Sequence, residues 1–394
     1  MKKKTIRDIV PDKKRVLVRV DFNVPLDGNG RVGDDTRIRD TIPTLQYLRE
    51  RGCRVILCSH LDRPDGKVVE SLRMGPVAER LSQLTGWQVK AIHTSCGPGA
   101  ESAVAAMRDG DFLFLENVRF NPGEKKNSED LALALAELAD IFVNDAFGVC
   151  HRTHASVVGV PRYLPAVAGL LLEKELNTFD SILESPERPF AAIVGGAKID
   201  DKLDMLEYIV PRVDRMLLGG GMTATFLLSR GYSVGASRVE TDRLEEVREL
   251  GVIAESLGVQ VLLPRDVIVA DKLERGAKAR TVPVDGIPDG WVIADIGPET
   301  TREYTRELSA CRTVIWNGPV GVFELPEFSA GTRSIAQALA GLDGTTVTGG
   351  GSTAEAVTMM GLAGKMSHVS TGGGAALQLL AGRPLPGVEA LLDA

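Results

Sequence analysis

The chain has 394 residues, 44% of them hydrophobic and 25% charged, and a formal net charge of −7. One apolar core seldom supports that length, so two domains are expected. The acidic balance excludes a general nucleic-acid binder, and any anionic ligand must be met by locally concentrated Arg and Lys. No apolar run is long enough to span a bilayer, and the start Met1-Lys2-Lys3-Lys4-Thr5 has no signal-type apolar segment behind it. The cysteines Cys53, Cys58, Cys96, Cys150 and Cys311 are odd in number and lack metal-ligand spacing. Cys53 and Cys58 lie in or beside an apolar run and read as buried free thiols, which fits a reducing cytoplasm.

Taken in chain order, short apolar runs alternate with helix-like segments. Strands are expected at Arg15–Asp21, Arg54–Ser59, Gln88–Ile92, Asp111–Glu116 and Ile141–Asn144. The segment Ser128–Ala139 reads as a helix with Asn127 and Ser128 as possible N-caps. Leu170–Leu183 is a further helix, flanked by Pro161, Pro165, Pro186 and Pro189. It reads either as a stiff connector or as one more packing helix. Beyond it, strands are expected at Phe190–Val194, Arg215–Leu218, Gln260–Leu263, Trp291–Asp295, Thr313–Trp316, Thr345–Thr348 and His368–Ser370. Apolar strands separated by helices predict parallel sheets covered on both faces. The fold class is therefore α/β, with two doubly wound, Rossmann-like parallel-sheet domains joined by a helix and a cleft between them. The expected divisions are 1–169, a connecting helix 170–185, and 186–376.

Ligands of such sheets bind beyond the carboxyl ends of the strands. In the second half, strands run into Gly195-Gly196, Gly219-Gly220-Gly221, Gly349-Gly350-Gly351 and Gly372-Gly373-Gly374. Glycine at a strand-to-helix turn lets free N–H groups face an anion, aided by the helix dipole. None of these turns is a P-loop or a G-x-G-x-x-G dinucleotide turn. Lys198 follows the first glycine pair, with Lys202 expected one helical turn later on the same face. In the first half, Arg37, Arg63, Arg119 and Arg152 lie beyond four different strands, with His60 and the run His151-Arg152-Thr153-His154 among them. Arg is the fork that suits carboxylate and phosphate oxygens. A Gly-rich, Lys-bearing half for polyphosphate and an Arg/His-rich half for a small anion together point to phosphoryl transfer.

At these residues the sequence resembles the phosphoglycerate kinase family over essentially its whole length. The matching stretches include Arg19-Val20-Asp21-Phe22-Asn23, Ser59-His60-Leu61-Asp62-Arg63-Pro64, Leu115-Glu116-Asn117-Val118-Arg119-Phe120 and Asn144-Asp145-Ala146-Phe147-Gly148. In the second half they include Gly195-Gly196-Ala197-Lys198, Trp316-Asn317-Gly318-Pro319 through Glu324, and Ser370-Thr371-Gly372-Gly373-Gly374. The resemblance implies that Asp21, Asn23, Arg37, His60, Arg63, Arg119 and Arg152 bind 3-phosphoglycerate in the N-terminal domain. It implies that Gly196, Lys198, Lys202, Asn317, Glu324, Gly350, Gly351, Ser352 and Thr353 hold Mg2+–ATP/ADP in the C-terminal domain. It further implies that residues 377–394 pack back on the first domain, and that the enzyme is a cytoplasmic, glycolytic monomer whose partners are 3-phosphoglycerate, 1,3-bisphosphoglycerate and ATP/ADP.

The chain departs from the family pattern in three places. Ser352 stands where an Asp is usual, so the protein's metal ligand is unknown: the ion is held by ATP oxygens and water, or by another carboxylate. Ile293 in Trp291–Asp295 is expected to crowd the adenine pocket. Asp62 and Thr153 replace Gly and Ala, and Asp62 is expected to be neutralised by Arg63. A carboxylate nucleophile is ionised near neutral pH and needs no general base. Catalysis is then positioning and charge stabilisation, assigned to Arg37, Lys198 and the backbone N–H groups at Gly373, with Gly374 and Gly350, after hinge closure. The alternatives are a non-catalytic nucleotide-binding paralogue disabled at Ser352, and a nicotinamide-dependent oxidoreductase, for which the expected glycine turn is missing.

Overall fold

The computed structural model describes residues 2–394. They form two compact units, one comprising residues up to Asn177 together with Pro384–Ala394, the other Thr178–Arg383. The division falls inside the helix Leu170–Glu184. Leu377–Arg383, expected in the returning tail, belong to the second unit, because the helix Gly373–Leu380 packs its Ala375, Ala376, Leu379 and Leu380 there.

The first unit is a six-stranded parallel sheet of β1 (Arg15–Val20), β2 (Arg54–Cys58), β3 (Val89–Ala91), β4 (Phe112–Phe114), β5 (Ile141–Asp145) and β6 (Ala166–Ala168), in the order β3-β4-β2-β1-β5-β6. Val16, Val18 and Val20 of β1 pack with Val55, Leu57, Phe112 and Phe114 in its core. The strand order reverses beside β1, so the crevice at the carboxyl ends of β1 and β5 is where a doubly wound sheet offers a ligand site. The tail is stitched to this unit: Lys4 N–H bonds the Leu392 carbonyl, and Asn144 Nδ2 bonds the Gly387 carbonyl at 3.0 Å.

In the second unit the strands are β7 (Phe190–Val194), β8 (Arg215–Leu218), β9 (Gln260–Leu262), β10 (Asp266–Ala270), β11 (Ala279–Pro283), β12 (Val292–Ile296), β13 (Thr313–Asn317), β14 (Thr345–Gly349) and β15 (His368–Val369). Six of them form a parallel sheet in the order β15-β14-β13-β7-β8-β9, reversing between β7 and β13. Trp316 and Tyr304 are fully buried there, and the Tyr304 hydroxyl lies 2.7 Å from the Leu218 carbonyl and 2.9 Å from that of Leu262. The strand expected at Trp291–Asp295 is not part of this sheet. It is β12, and it pairs antiparallel with β10 in a separate sheet of order β11-β10-β12. Ile293 packs in that sheet's apolar cluster with Ala224, Val267 and Val269.

The helix expected over Ser128–Ala139 spans Glu129–Ala136. Ser128 takes the N-cap position without a side-chain hydrogen bond, and Asn127 turns left-handed at φ 52°. Glu129 and Asp130 in the first turn supply the negative charge that complements the helix dipole. All five cysteines are free. Among the described residues no helix is long and apolar enough to cross a membrane.

One buried carboxylate anchors the start of the long helix. Asp145, at the end of β5, accepts the backbone N–H groups of Leu171 and Leu172 through Oδ1 at 2.9 and 3.1 Å, while its Oδ2 has no partner. Burial pushes its carboxyl up to about 7, against hydrogen bonds from Thr44, Leu172 and Leu171 that lower it. The folded protein therefore holds a proton that the unfolded chain releases near its ordinary value of 3.8. This contribution to stability is complete at acid pH and is lost as the pH rises through about 7. Asp145→Asn should accordingly gain melting temperature relative to the parent at about pH 8.5 compared with about pH 5. An identical difference at both pH values would show that Asp145 does not titrate in this range.

Candidate active site

Two clusters form at the carboxyl ends of the strands, one in each unit. In the first, β1 delivers Asp21 and β2 delivers His60, held together by the Phe22 N–H bond to Ser59 Oγ at 3.0 Å. Arg37 lies in the first turn of the helix Thr36–Glu50 and donates to Asp21 Oδ2 at 2.5 Å. His60 is 3% exposed, with Nδ1 3.8 Å from Asp21 Oδ1, an oxygen that has no hydrogen-bond partner. Asn23 turns inward to the protein: its Oδ1 accepts the Asp62 N–H at 2.8 Å.

Arg119 sits on a short 3-10 turn, Val118–Phe120, shaped by Asn117. Asn117 Oδ1 accepts the Arg119 N–H at 3.1 Å, and its Nδ2 donates to the Leu61 and Leu72 carbonyls at 2.8 and 3.0 Å. Glu116 in turn accepts the N–H groups of Asn117 and Met74. Arg119 donates Nη1 to the Asp62 carbonyl at 2.7 Å, leaving Nε without a partner. Asp62 thus contributes backbone, in the left-handed region at φ 50°, and its exposed carboxylate forms no ion pair with the exposed Arg63 among the described residues. The expected neutralisation is absent because the two side chains project into solvent.

Positive charge outweighs negative in the electrostatics of this cluster. Burial, then the charges of Arg19 and Arg152, push the Arg119 guanidinium down to about 10. Burial and Arg152 push His151 down to about 4. His60 is held well below its ordinary value by burial, then by Arg19, Arg119 and Arg37. Concentrated positive charge in a poorly solvated crevice is the character of an anion site. Arg19, Asn117, Glu116, Glu124 and Ser156 carry no expected role from spacing. Only Arg19 gives a local signal, being a cation set between Val18 and Val20 in the buried part of its strand.

In the second unit the loops after β7, β8 and β13 press against one another. Gly195 N–H bonds the Asn317 carbonyl, Gly196 N–H that of Pro319, and Gly220 N–H that of Val320. A Cβ on Gly195 would lie 2.2 Å from the Pro319 carbonyl oxygen, and one on Gly318 2.2 Å from that of Gly195. These glycines are required for backbone packing, so their prime task is steric and not the cradling of phosphate. The cradle lies at β14 and β15. Gly350 has φ +98° and starts the helix Gly351–Met359, and a Cβ on Gly373, which opens the helix Gly373–Leu380, would lie 3.0 Å from Gly351 N. Two helix N-termini therefore adjoin, and each presents unpaired N–H groups.

Lys202 donates to Asn317 Oδ1, and burial pushes its ammonium down to about 8. Asn317 is buried, with Nδ2 unpartnered. Lys198 and Lys202 do not share a helical face, since the helix begins only at Leu203. Glu240 Oε2 captures the Ile199 N–H at 2.6 Å and draws the intervening loop off the helical path. Lys198 is half-buried and forms no salt bridge among the described residues. Thr353 is fully buried and its hydroxyl accepts the Gly318 N–H at 2.7 Å, so it braces the loop and does not line the surface. Ser352 and Glu324 are exposed. Ile293 lies in the apolar cluster already described. Among the described residues no group of three or more His, Cys, Asp or Glu is placed to hold a metal ion.

A family model described as phosphoglycerate kinase matches residues 6–383. The chain is 56% identical over 393 residues to the phosphoglycerate kinase of Pelotomaculum thermopropionicum, covering 100% of both chains. It is 54% identical over 401 residues to that of Synechococcus elongatus, again with 100% of both covered. Among solved structures, phosphoglycerate kinase from Coxiella burnetii is similar at a TM-score of 0.88 and 39% identity, covering 98% of each chain. The Pyrococcus horikoshii enzyme matches at a TM-score of 0.85 and 31% identity, also over 98% of each. With a family match over nearly its whole length and relatives more than half identical across all of it, the chain belongs to the phosphoglycerate kinase family.

Proposed function

We propose that the first unit binds 3-phosphoglycerate or 1,3-bisphosphoglycerate and the second binds ATP or ADP, and that the chain moves a phosphoryl group reversibly between them in glycolysis. The observation that carries this division is the contrast between the clusters: the buried Arg19 and Arg119 in one unit, and paired helix N-termini beside Lys202 in the other. A non-catalytic paralogue disabled at Ser352 finds no support among relatives named as kinases.

Asp21, Asn23, Arg37, His60, Arg63, Arg119 and Arg152 are assigned to the acceptor. Arg119 and Arg152 meet its charge, and Asn23 sets the loop that carries Asp62. Asp21 holds one Nη of Arg37 and so orients the remaining guanidinium donors. Gly196, Lys198, Lys202, Asn317, Glu324 and the turn Gly350–Ser352 are assigned to the nucleotide. The acceptor carboxylate is already ionised, so no side chain has to remove a proton. What remains is to align donor and acceptor and to stabilise charge on the transferring group, which falls to Arg37, Lys198 and the N–H groups at Gly373. A divalent ion such as Mg2+ supplies charge neutralisation when it arrives on the nucleotide's phosphates. The described residues form no carboxylate cage for it. The five free thiols favour a reducing compartment such as the cytoplasm, and the reading is of a monomer.

Three outcomes follow. In a coupled assay, Arg37→Ala should lower kcat by about 10²–10³ while the KM for 3-phosphoglycerate changes little. An unchanged kcat with a raised KM would make Arg37 a substrate clamp. Lys202 is charged below about pH 8, so kcat/KM for the nucleotide should fall as the pH rises through that value. Lys202→Arg should move that limb to higher pH, and a limb that stays in place would remove Lys202 from nucleotide binding. Because the two substrates are assigned to different units, transfer requires closure that unites them and excludes water. Small-angle scattering should show compaction only with both ligands bound, and identical profiles would rule closure out.

A further inference from the structure

Arg19 is fully buried in β1, in line with the equally buried Val16, Leu17, Val18 and Val20. A buried cation needs a counter-charge, and among the described residues no carboxylate reaches Arg19 directly. The anion is one hydroxyl away. Arg19 Nε donates to Ser156 Oγ at 2.8 Å, and Ser156 Oγ donates to Glu124 Oε1 at 2.6 Å. Glu124, only 1% exposed, also accepts the Ser156 N–H through Oε2 at 3.0 Å. Burial raises the Glu124 carboxyl, but nearby His154 (Nδ1 at 3.6 Å), the charge of Arg19 and the bonds from Ser156 hold it below its ordinary value.

Proton directions along this chain are forced. A guanidinium only donates and a carboxylate only accepts, so the Ser156 hydroxyl proton points to Glu124. At the other end Arg19 Nη2 lies 3.3 Å from His60 Nδ1, and Nη1 is taken by the Val20 carbonyl. Since Nη2 cannot accept, His60 Nδ1 must carry the lone pair and Nε2 the proton. The charged and titratable groups facing His60 are Arg19 on β1, Arg37 on its helix, Arg119 on the 3-10 turn and His154 after β5, opposed by Asp21 at 3.8 Å.

We propose that Glu124 and Ser156 are positioning residues for acceptor binding, holding Arg19 so that His60 is kept as the neutral tautomer with its proton on Nε2. The inference rests on the assignment of His60 to the 3-phosphoglycerate site. On this arrangement His60 is a neutral donor of fixed orientation, and the acceptor's charge is met by arginines alone.

The test uses the full chain, nitrogen NMR of His60, and steady-state kinetics. In the parent, His60 Nδ1 should report as unprotonated with no titration between about pH 5.5 and 8. Ser156→Ala should mix the tautomers and raise the KM for 3-phosphoglycerate about ten-fold, with the KM for ATP unchanged. Should Ser156→Ala lose cooperative melting, Glu124→Gln conserves volume and carries the same expectations. An unaltered His60 tautomer in the variants overturns the proposal, and so does an altered tautomer with an unmoved KM for 3-phosphoglycerate. Failure of 3-phosphoglycerate to perturb the parent His60 signal would instead refute the assignment of the acceptor site.

Discussion

In both units the first strand of the sheet lies inside it, with later strands added on either side. Connections leaving β1 and β5, or β7 and β13, must therefore depart toward opposite sides, and a crevice opens at their carboxyl ends. The candidate site residues gather at the carboxyl ends of the strands, at those two reversals and on the strands beside them. The fold generates the same geometric opening twice, and the loops that line it make one opening cationic and the other a meeting of helix N-termini.

The two openings are stabilised differently. In the second unit, glycines without side chains let three loops share backbone hydrogen bonds at close range, so the cradle rests on main chain that cannot swing between rotamers. In the first, side chains do the work, and buried charges must be offset. Glu116 and Asn117 satisfy the turn beneath Arg119, and Glu124 answers Arg19 through Ser156. The cost of desolvating Arg119, His60 and His151 is retained, as expected where stability is surrendered to a functional arrangement.

Much of the architecture was legible in the chain. Phe190–Val194 and Arg215–Leu218 coincide with their strands because a short apolar run between turn residues has few other uses. The helix from Leu170 was equally plain, although its division between two units was not. β6 escaped notice as a three-residue run between Pro165 and Gly169, and β11 because its exposed Ala279–Pro283 has no apolar pattern. The glycine turns are visible in the chain, but their two purposes are not: Gly195 and Gly318 are steric necessities, while Gly350 and Gly373 stand at helix starts.

By itself the sequence determined the α/β class, the two-sheet plan, and which cations and glycines stand beyond strand ends, because these are properties of short-range periodicity and composition. Only the tertiary structure decided which groups compensate one another. Arg19 meets Ser156 across 137 positions, Lys202 meets Asn317 across 115, and Thr353 is drawn into the interior by a Gly318 N–H. Such pairings depend on which strands become neighbours where the sheet order reverses, and no local pattern encodes that adjacency.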